Sequence, residues 1–188
     1  NGGIMSKVAF QGELGAYSHI AAKELFPDSI ITTCSTFEET FRLAHRDSNY
    51  KILIPIENSL AGRVADIHYL LPKYKLQIYG EHFQRVEHNL LSIQSAKLSD
   101  IKFVRSHAQA IGQCQDLIIK NKFKTIISAD TAGSAKDLSE NNDKSIAAIA
   151  SGLSAEIYNL KILKKNIEDE SGNVTRFLIM GKDIQQPK

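Results

Sequence analysis

Several protein classes can be excluded by what this sequence lacks. It has no run of 18 apolar residues, so neither a transmembrane helix nor a membrane partner is predicted. No apolar leader precedes the first predicted strand, and we therefore expect a protein that is not exported. The longest basic runs are pairs such as Lys164-Lys165, and the formal net charge is +2. A nucleic-acid partner is not expected, because such proteins need a concentrated basic surface.

Glycine, proline and cysteine are also scarce. The 188 residues include 11 Gly and 4 Pro, which excludes collagen-like and low-complexity chains. Cys34 and Cys114 lie far apart, so we expect no disulfide framework and predict a reducing, cytoplasmic location. The six histidines show no metal-binding pattern, and the closest pair, His82 and His88, fits neither face of a helix. No metal site is therefore expected.

What the sequence does contain is an alternation of short β-branched runs with longer helical patterns. This alternation is typical of an α/β fold with largely parallel strands. Strands are predicted at 8–10, 51–56, 76–79, 87–93, 101–105, 125–127, 146–149 and 174–180, and helices at 18–26, from 36, 62–71, 108–121, from 131 and 151–158. Thr36 with Glu39 forms a capping box, and Ser18 is predicted to cap the first helix.

Polar clusters follow the predicted strands, at 12–18, 57–62, 106–109 and 130–134. In open α/β sheets, ligands bind beyond the carboxyl ends of the strands. Helix N-termini at that edge also offer unpaired N–H groups, which suit a carboxylate or a phosphate. The residues alone therefore predict a two-lobed α/β protein with a cleft for a small anion.

Each cluster also has a plainer interpretation. The turn Gly12 to Gly15 lacks a nucleotide-binding spacing and is explained equally well as a strand-to-helix turn. Glu57-Asn58-Ser59 is either a ligand contact or a capping turn before helix 62–71. Ser106 and His107 are neighbours on a strand and point to opposite faces, so they do not form a nucleophile–base pair. We expect Ser106 to contact a ligand and His107 to be structural.

Arg176 is an unusual charge near the start of an otherwise apolar strand. It needs a partner or solvent, because an unpaired buried charge is costly. Its guanidinium fork suits a carboxylate, while the alternative is a solvated arginine on an edge strand.

Six blocks of the sequence together resemble the prephenate dehydratase family. The blocks are FQGELGAYS at 10–18, IPIENS at 54–59 with Gly62, SHAQA at 106–110 with Gln113 and Cys114, DTAGSA at 130–135, AAIAS at 147–151 and NVTRFL at 173–178. The similarity runs from about residue 8 to 181, and the TRF block is the family's hallmark. Ala16 departs from the Thr of many relatives, and Ala108 from a common Pro.

The resemblance implies the fold of type II periplasmic-binding proteins, with two α/β lobes and the site in the cleft between them. The first lobe is predicted at 6–84 plus 167–183 and the second at 85–166. Residues 1–4, ahead of Met5, are interpreted as a cloning remnant. Relatives usually carry a C-terminal ACT domain that binds phenylalanine, and since the chain stops at Lys188 we expect that domain to be absent. Relatives also form homodimers or homotetramers.

The resemblance further implies conversion of prephenate to phenylpyruvate in phenylalanine biosynthesis, with loss of water and carbon dioxide and without a cofactor. The catalytic candidates are Thr175, Glu57, Asn58, Ser106 and Gln113, and the substrate-binding candidates are Arg176, Ser18, Thr131 and Phe177. Arg176 is expected to clamp a substrate carboxylate, and Thr175 to hydrogen-bond the leaving hydroxyl. Two alternatives stay open: arogenate dehydratase, and a small-anion binding protein without catalysis.

Overall fold

The computed structural model describes residues 6–183, and these divide into two compact units. The first unit comprises 6–12, 18–85 and 174–183, and the second comprises 13–17 and 86–173. Each unit has its own β-sheet and its own apolar core.

The two units differ from the predicted lobes in two short segments, 13–17 and 167–173, which both belong to the second unit. The Gly15 carbonyl accepts hydrogen bonds from the hydroxyls of Ser151 and Ser154. The N–H of Ile167 donates to the carbonyl of His88. These bonds explain why both segments group with the second unit.

The first unit is built on a six-stranded mixed sheet. Numbered along the whole chain, its elements are β1 (Lys7–Gln11), α1 (Tyr17–Leu25), β2 (Ile30–Cys34), α2 (Phe37–Arg46), β3 (Tyr50–Asn58), β4 (Gly62–Arg63), a 3-10 turn (Ala65–Ile67), α3 (Leu70–Tyr74), β5 (Gln77–Arg85) and β11 (Val174–Gly181). The strand order is β2-β1-β3-β11-β5, with β4 paired to β3. Strand β11 runs antiparallel to both neighbours, while β1 is parallel to β2 and β3.

Alternation along β11 divides the apolar residues of the first unit between two clusters. Phe177 packs with Phe10 of β1 and Ala21 of α1. Leu178 belongs to the other cluster, with Phe41 of α2. Because successive side chains of a strand leave opposite faces, both faces of this sheet are covered.

The second unit has a five-stranded sheet with helices connecting its strands. Its elements are β6 (Asn89–Ser92), a 3-10 turn (Leu98–Asp100), β7 (Phe103–Ser106), α4 (Ala108–Gly112), α5 (Gln115–Asn121), β8 (Lys124–Ile127), α6 (Thr131–Asn141), β9 (Ile146–Ala150), α7 (Gly152–Ile157) and β10 (Lys161–Lys164). The order is β10-β6-β9-β7-β8, with β7 parallel to both neighbours. Its core includes Leu90, Val104 and Ile149, all fully buried.

The predicted α/β fold class is confirmed, since each unit combines a sheet with helices, and the eight predicted strands are all present. Thr36 caps α2 as expected, its side chain accepting from the N–H of Glu39. The predicted cleft between the lobes stays a prediction. Within residues 6–183, no helix is long and apolar enough to cross a membrane.

Three local predictions are wrong. Helix 62–71 is replaced by β4, the 3-10 turn and α3, since the N–H of Val64 bonds back to Ile56 and closes a hairpin. Helix 108–121 is two helices, α4 and α5, interrupted at Gln113 and Cys114. Helix α1 begins at Tyr17, so Ser18 lies inside its first turn and does not precede it as a cap. Strands β2, β4 and β10 were not predicted.

Candidate active site

A bulge in β3 brings Asn58 beside Thr175 in the first unit. In the ladder with β11, β3 carries one residue more than its partner, and Ile56 is the extra residue. A bulge of this kind re-aims the side chains that follow it. Asn58 consequently pairs with Thr175, and its Nδ2 donates to the Thr175 Oγ1 at 3.0 Å.

The Asn58 amide is held in one orientation. Its Oδ1 accepts the backbone N–H groups of Leu60 and Ala61, both at 3.0 Å. Its Nδ2 also lies 3.4 Å from the Val174 carbonyl, and the residue is 5% exposed. Asn58 therefore closes the turn into β4 and at the same time donates to Thr175. The turn agrees with the capping interpretation, and the predicted ligand contact stays a prediction.

Arg176 leaves the opposite face of β11 from Thr175, as neighbours on a strand do. Its guanidinium donates through Nε to the Glu81 carboxylate at 2.7 Å, and its Nη2 lies 2.7 Å from the same oxygen. Its Nη1 lies 3.4 Å from Glu57. The hydrogen bonds to Glu81 and Glu57 raise the pKa of Arg176 above its ordinary value. The arginine thus has the partners that its place in an apolar strand requires, and both are side chains of adjacent strands.

Two further candidates of the first unit are buried. Ser18 lies in the first turn of α1 at 9% exposure. Phe177 is 2% exposed in the cluster beneath α1, with Phe10 and Leu53. Phe177 therefore packs in the core, and its burial gives no support to the predicted substrate contact, which stays a prediction.

Ser106 and His107, in the second unit, are occupied by structural hydrogen bonds. The Ser106 hydroxyl is fully buried and donates to the Ile149 carbonyl of the neighbouring strand at 2.7 Å. His107 caps α4, its Nδ1 accepting the N–H of Gln109 at 3.0 Å. The structural role predicted for His107 is confirmed, and the catalytic role predicted for Ser106 stays a prediction without support from this geometry.

Gln113 occupies the break between α4 and α5 and is half-buried. Its Oε1 lies 2.7 Å from the Nε2 of His88 and accepts a bond from the Nδ2 of Asn173 at 2.9 Å. His88 and Asn173 are almost completely buried. Sequence reasoning did not select either residue, although each is a polar residue beside a strand, where an apolar one would pack.

Thr131 is the first residue of α6, and the helix is capped by Asp130. The Asp130 carboxylate accepts the N–H of Gly133 and thereby occupies the helix N-terminus. An anion at this end would meet a carboxylate, so the geometry does not favour the predicted substrate contact of Thr131.

The two cysteines are poorly suited to nucleophilic chemistry. Cys34 and Cys114 are free and buried. Burial raises the pKa of both thiols, and Asp169 and Glu168 raise that of Cys114 further. Both thiols therefore stay protonated at neutral pH. Among residues 6–183, no three side chains of His, Cys, Asp or Glu group as metal ligands would.

Comparisons with known proteins match this chain over nearly its whole length. The family model for prephenate dehydratase matches residues 8–185. A protein of Komagataeibacter europaeus, named a bifunctional N-acyl-homoserine lactone acylase/prephenate dehydratase, is 42% identical over 93% of this chain and 62% of its own length. The arogenate dehydratase/prephenate dehydratase 2 of Arabidopsis thaliana is 37% identical over 96% of this chain and 48% of its own.

The fold is also that of a solved prephenate dehydratase. The crystal structure from Staphylococcus aureus superposes with a TM-score of 0.81 at 27% identity, covering 95% of this chain and 67% of that one. The chain belongs to the prephenate dehydratase family. It spans about half to two thirds of the length of these relatives.

Proposed function

We propose that this chain converts prephenate to phenylpyruvate, water and carbon dioxide. The observation that carries the proposal is the bond from the Asn58 amide to the Thr175 hydroxyl, made by two residues within the range 8–185 that the family model matches. The reaction aromatises the ring and requires departure of a hydroxyl and of a carboxylate. It needs a placed hydrogen-bond donor more than a cofactor, and a threonine hydroxyl can supply one.

Thr175 is proposed to donate its proton in a hydrogen bond to the leaving hydroxyl. Because the Thr175 oxygen already accepts from Asn58, its own O–H is left to act as a donor. The Asn58 bond also polarises the hydroxyl, since hydrogen bonds in a chain strengthen one another. A threonine is a weak acid, so it acts by orientation and hydrogen bonding and not by full proton transfer. The proton that turns the departing hydroxyl into water is proposed to come from a carboxyl group or a water molecule behind it.

The carboxylates of the substrate need cationic or amide partners. Arg176 leaves the opposite face of β11 from Thr175, but both residues stand at the start of that strand, so the proposal places the substrate across the strand end, where the two side chains can both reach it. Arg176 is proposed to bind one carboxylate there by exchanging its longer contact, Nη1 to Glu57 at 3.4 Å, for the substrate. The two shorter contacts with Glu81 would keep the guanidinium in place meanwhile. Gln113 is proposed as a neutral donor, because a side-chain amide stabilises charge that develops in the transition state.

Arogenate dehydration is the second candidate, because an Arabidopsis thaliana relative carries both activities in its name. Arogenate has an amino group where prephenate has a keto oxygen, and the leaving hydroxyl and ring carboxylate are the same. The chemistry assigned to Thr175 and Asn58 would therefore serve either substrate.

The test is a paired rate measurement on the purified chain. Prephenate is supplied at mildly basic pH, where its spontaneous breakdown is slow, and phenylpyruvate is followed by its absorbance in alkali. Arogenate is run in parallel, with phenylalanine as the product. A faster reaction with prephenate is expected, and the reverse preference would make arogenate the substrate. Binding of a dicarboxylate without turnover would favour a binding protein.

The expected partners follow the same proposal. Prephenate is the proposed small-molecule partner, and assembly as a homodimer or homotetramer stays a prediction, as does a cytoplasmic location.

A further inference from the structure

We propose that His88, supported by Tyr17 and Asn173, is a positioning residue that turns the Gln113 amide so that its N–H₂ group faces the substrate. The inference rests on the proposed function, since it assigns a partner to one of the residues placed in that reaction. All four residues belong to the second unit.

Both polar bonds at the Gln113 side chain are made to its oxygen. The Nε2 of His88 is 2.7 Å from Oε1, and the Nδ2 of Asn173 donates to the same atom at 2.9 Å. A carbonyl oxygen has two acceptor positions, so these two bonds fill it. The amide nitrogen therefore lies on the other side of the half-buried group, away from the two buried partners.

His88 is itself fixed from three directions. Its Nδ1 lies 2.9 Å from the Tyr17 hydroxyl, and the Glu87 carbonyl lies 2.8 Å from the same hydroxyl, so the single O–H proton of Tyr17 is shared between these two acceptors. Its backbone N–H donates to the Glu168 carboxylate at 3.0 Å. The Tyr17 ring meets the imidazole edge-on, with ring centres 5.7 Å apart. At 2% exposure, this imidazole has little freedom to turn.

The protonation state of His88 fits the same role. Burial lowers the pKa of His88, although the hydrogen bond with Gln113 and the nearby Glu168 act in the opposite direction. The neutral ring must carry its single proton on Nε2, because the Gln113 oxygen can only accept. Burial, with Cys114, Glu168 and Glu87 nearby, raises the pKa of Tyr17, so its hydroxyl stays protonated beside Nδ1. The imidazole is thus a fixed donor toward Gln113.

Replacing His88 removes the donor that holds the Gln113 amide and leaves the amide itself in place. Without His88 Nε2–H, the Gln113 amide can turn over and present its oxygen, which repels the negative charge that develops in the transition state where the N–H₂ group would stabilise it. The loss should appear mainly in kcat, because a misplaced catalytic group costs up to about 100-fold in rate.

The experiment is a double-mutant cycle on prephenate turnover by the whole chain, with His88→Leu, Gln113→Ala and the double variant. We expect His88→Leu to lower kcat by about 10- to 100-fold with a smaller change in KM. The double variant should be no slower than Gln113→Ala alone, because the two residues act as one unit. His88→Gln, which keeps an N–H donor, should recover part of the rate. His45→Leu, at an exposed histidine of α2, is the matched control and should keep the wild-type rate.

Two results would overturn the inference while leaving the proposed function intact. One is a wild-type kcat in a folded His88→Leu variant. The other is a double variant whose kcat is reduced by the product of the two factors found for the single variants. Folding is checked by thermal unfolding, and Asn173→Ala, which removes the second donor, replaces His88→Leu if that variant does not fold. Nitrogen-15 NMR of wild-type imidazoles should show the Nε2–H form at His88, and the Nδ1–H form would contradict the inference whatever the activity. No turnover by the wild type would instead defeat the proposed function and this inference together.

Discussion

Replacing Thr175 by valine removes the hydroxyl while keeping nearly the same shape. The account places that hydroxyl as the donor to the leaving group, with Asn58 Nδ2 at 3.0 Å behind it. Loss of one such donor lowers kcat by about 100- to 1,000-fold, and KM should change little because the substrate carboxylates keep their partners.

The same change should cost stability in a defined way. Asn58 is 5% exposed, so its Nδ2 loses a buried acceptor, while its 3.4 Å contact with the Val174 carbonyl stays in place. An unsatisfied buried donor costs about 1–3 kcal/mol, and the remaining contact puts the expected loss near 1 kcal/mol.

Thr175→Ser is the matched control, because serine restores the oxygen. Phenylpyruvate formation gives kcat and KM for the wild type and both variants, and urea unfolding gives their stabilities. We expect the serine variant to recover most of both losses. A folded valine variant with a kcat within about tenfold of wild type would refute the assignment of the hydroxyl.

Three other predictions, for Gly15, Arg176 and His88, test separate parts of the account. Gly15→Ala should destabilise the protein by about 1–3 kcal/mol, because Gly15 has φ +95° and its new Cβ would lie 2.5 Å from the Ser154 Oγ. Gly112→Ala, with no atom near the added Cβ, should be neutral or stabilising by up to about 1 kcal/mol in the same thermal unfolding assay. Arg176→Leu should raise KM for prephenate about 10-fold or more with a smaller effect on kcat, and an unchanged KM would exclude it as the carboxylate clamp. Burial lowers the pKa of His88 in the folded state, so as the pH falls the unfolded chain takes up a proton on this histidine before the folded protein does. The contribution of neutral His88 to the free energy of unfolding is therefore fully present above about pH 6.5 and is lost as the pH falls through the lowered pKa. Urea unfolding between pH 5 and 8 should show that the free energy of unfolding falls less steeply with decreasing pH in His88→Gln than in the wild type. An equally steep fall would show that His88 is not the source of this pH dependence.

Local patterns in the sequence predicted the elements well, because they depend on neighbouring residues. The cap of α2 at Thr36 and every predicted strand follow from propensity and alternation over a few positions. Prediction was wrong where a side chain bonds to the backbone that follows it, as at Asn58, whose Oδ1 closes the turn into the β3–β4 hairpin where the spacing predicted a helix.

The partners of the site residues could not be predicted, because they come from distant parts of the chain. Arg176 is bound by Glu81, 95 positions earlier, and Gln113 by Asn173, 60 positions later. The alternation rule by itself separates Thr175 from Arg176 onto opposite faces of β11. The rule does not predict which face also carries Glu57 and Glu81, because that depends on which strands lie beside β11.

The most direct test of the central claim is the rate of carbon dioxide release from prephenate by wild type and Thr175→Val at equal concentration. The account predicts stoichiometric carbon dioxide and phenylpyruvate from the wild type, and about 100- to 1,000-fold slower release from the variant. Equal rates for the two proteins, or no release above the spontaneous breakdown of prephenate, would contradict it.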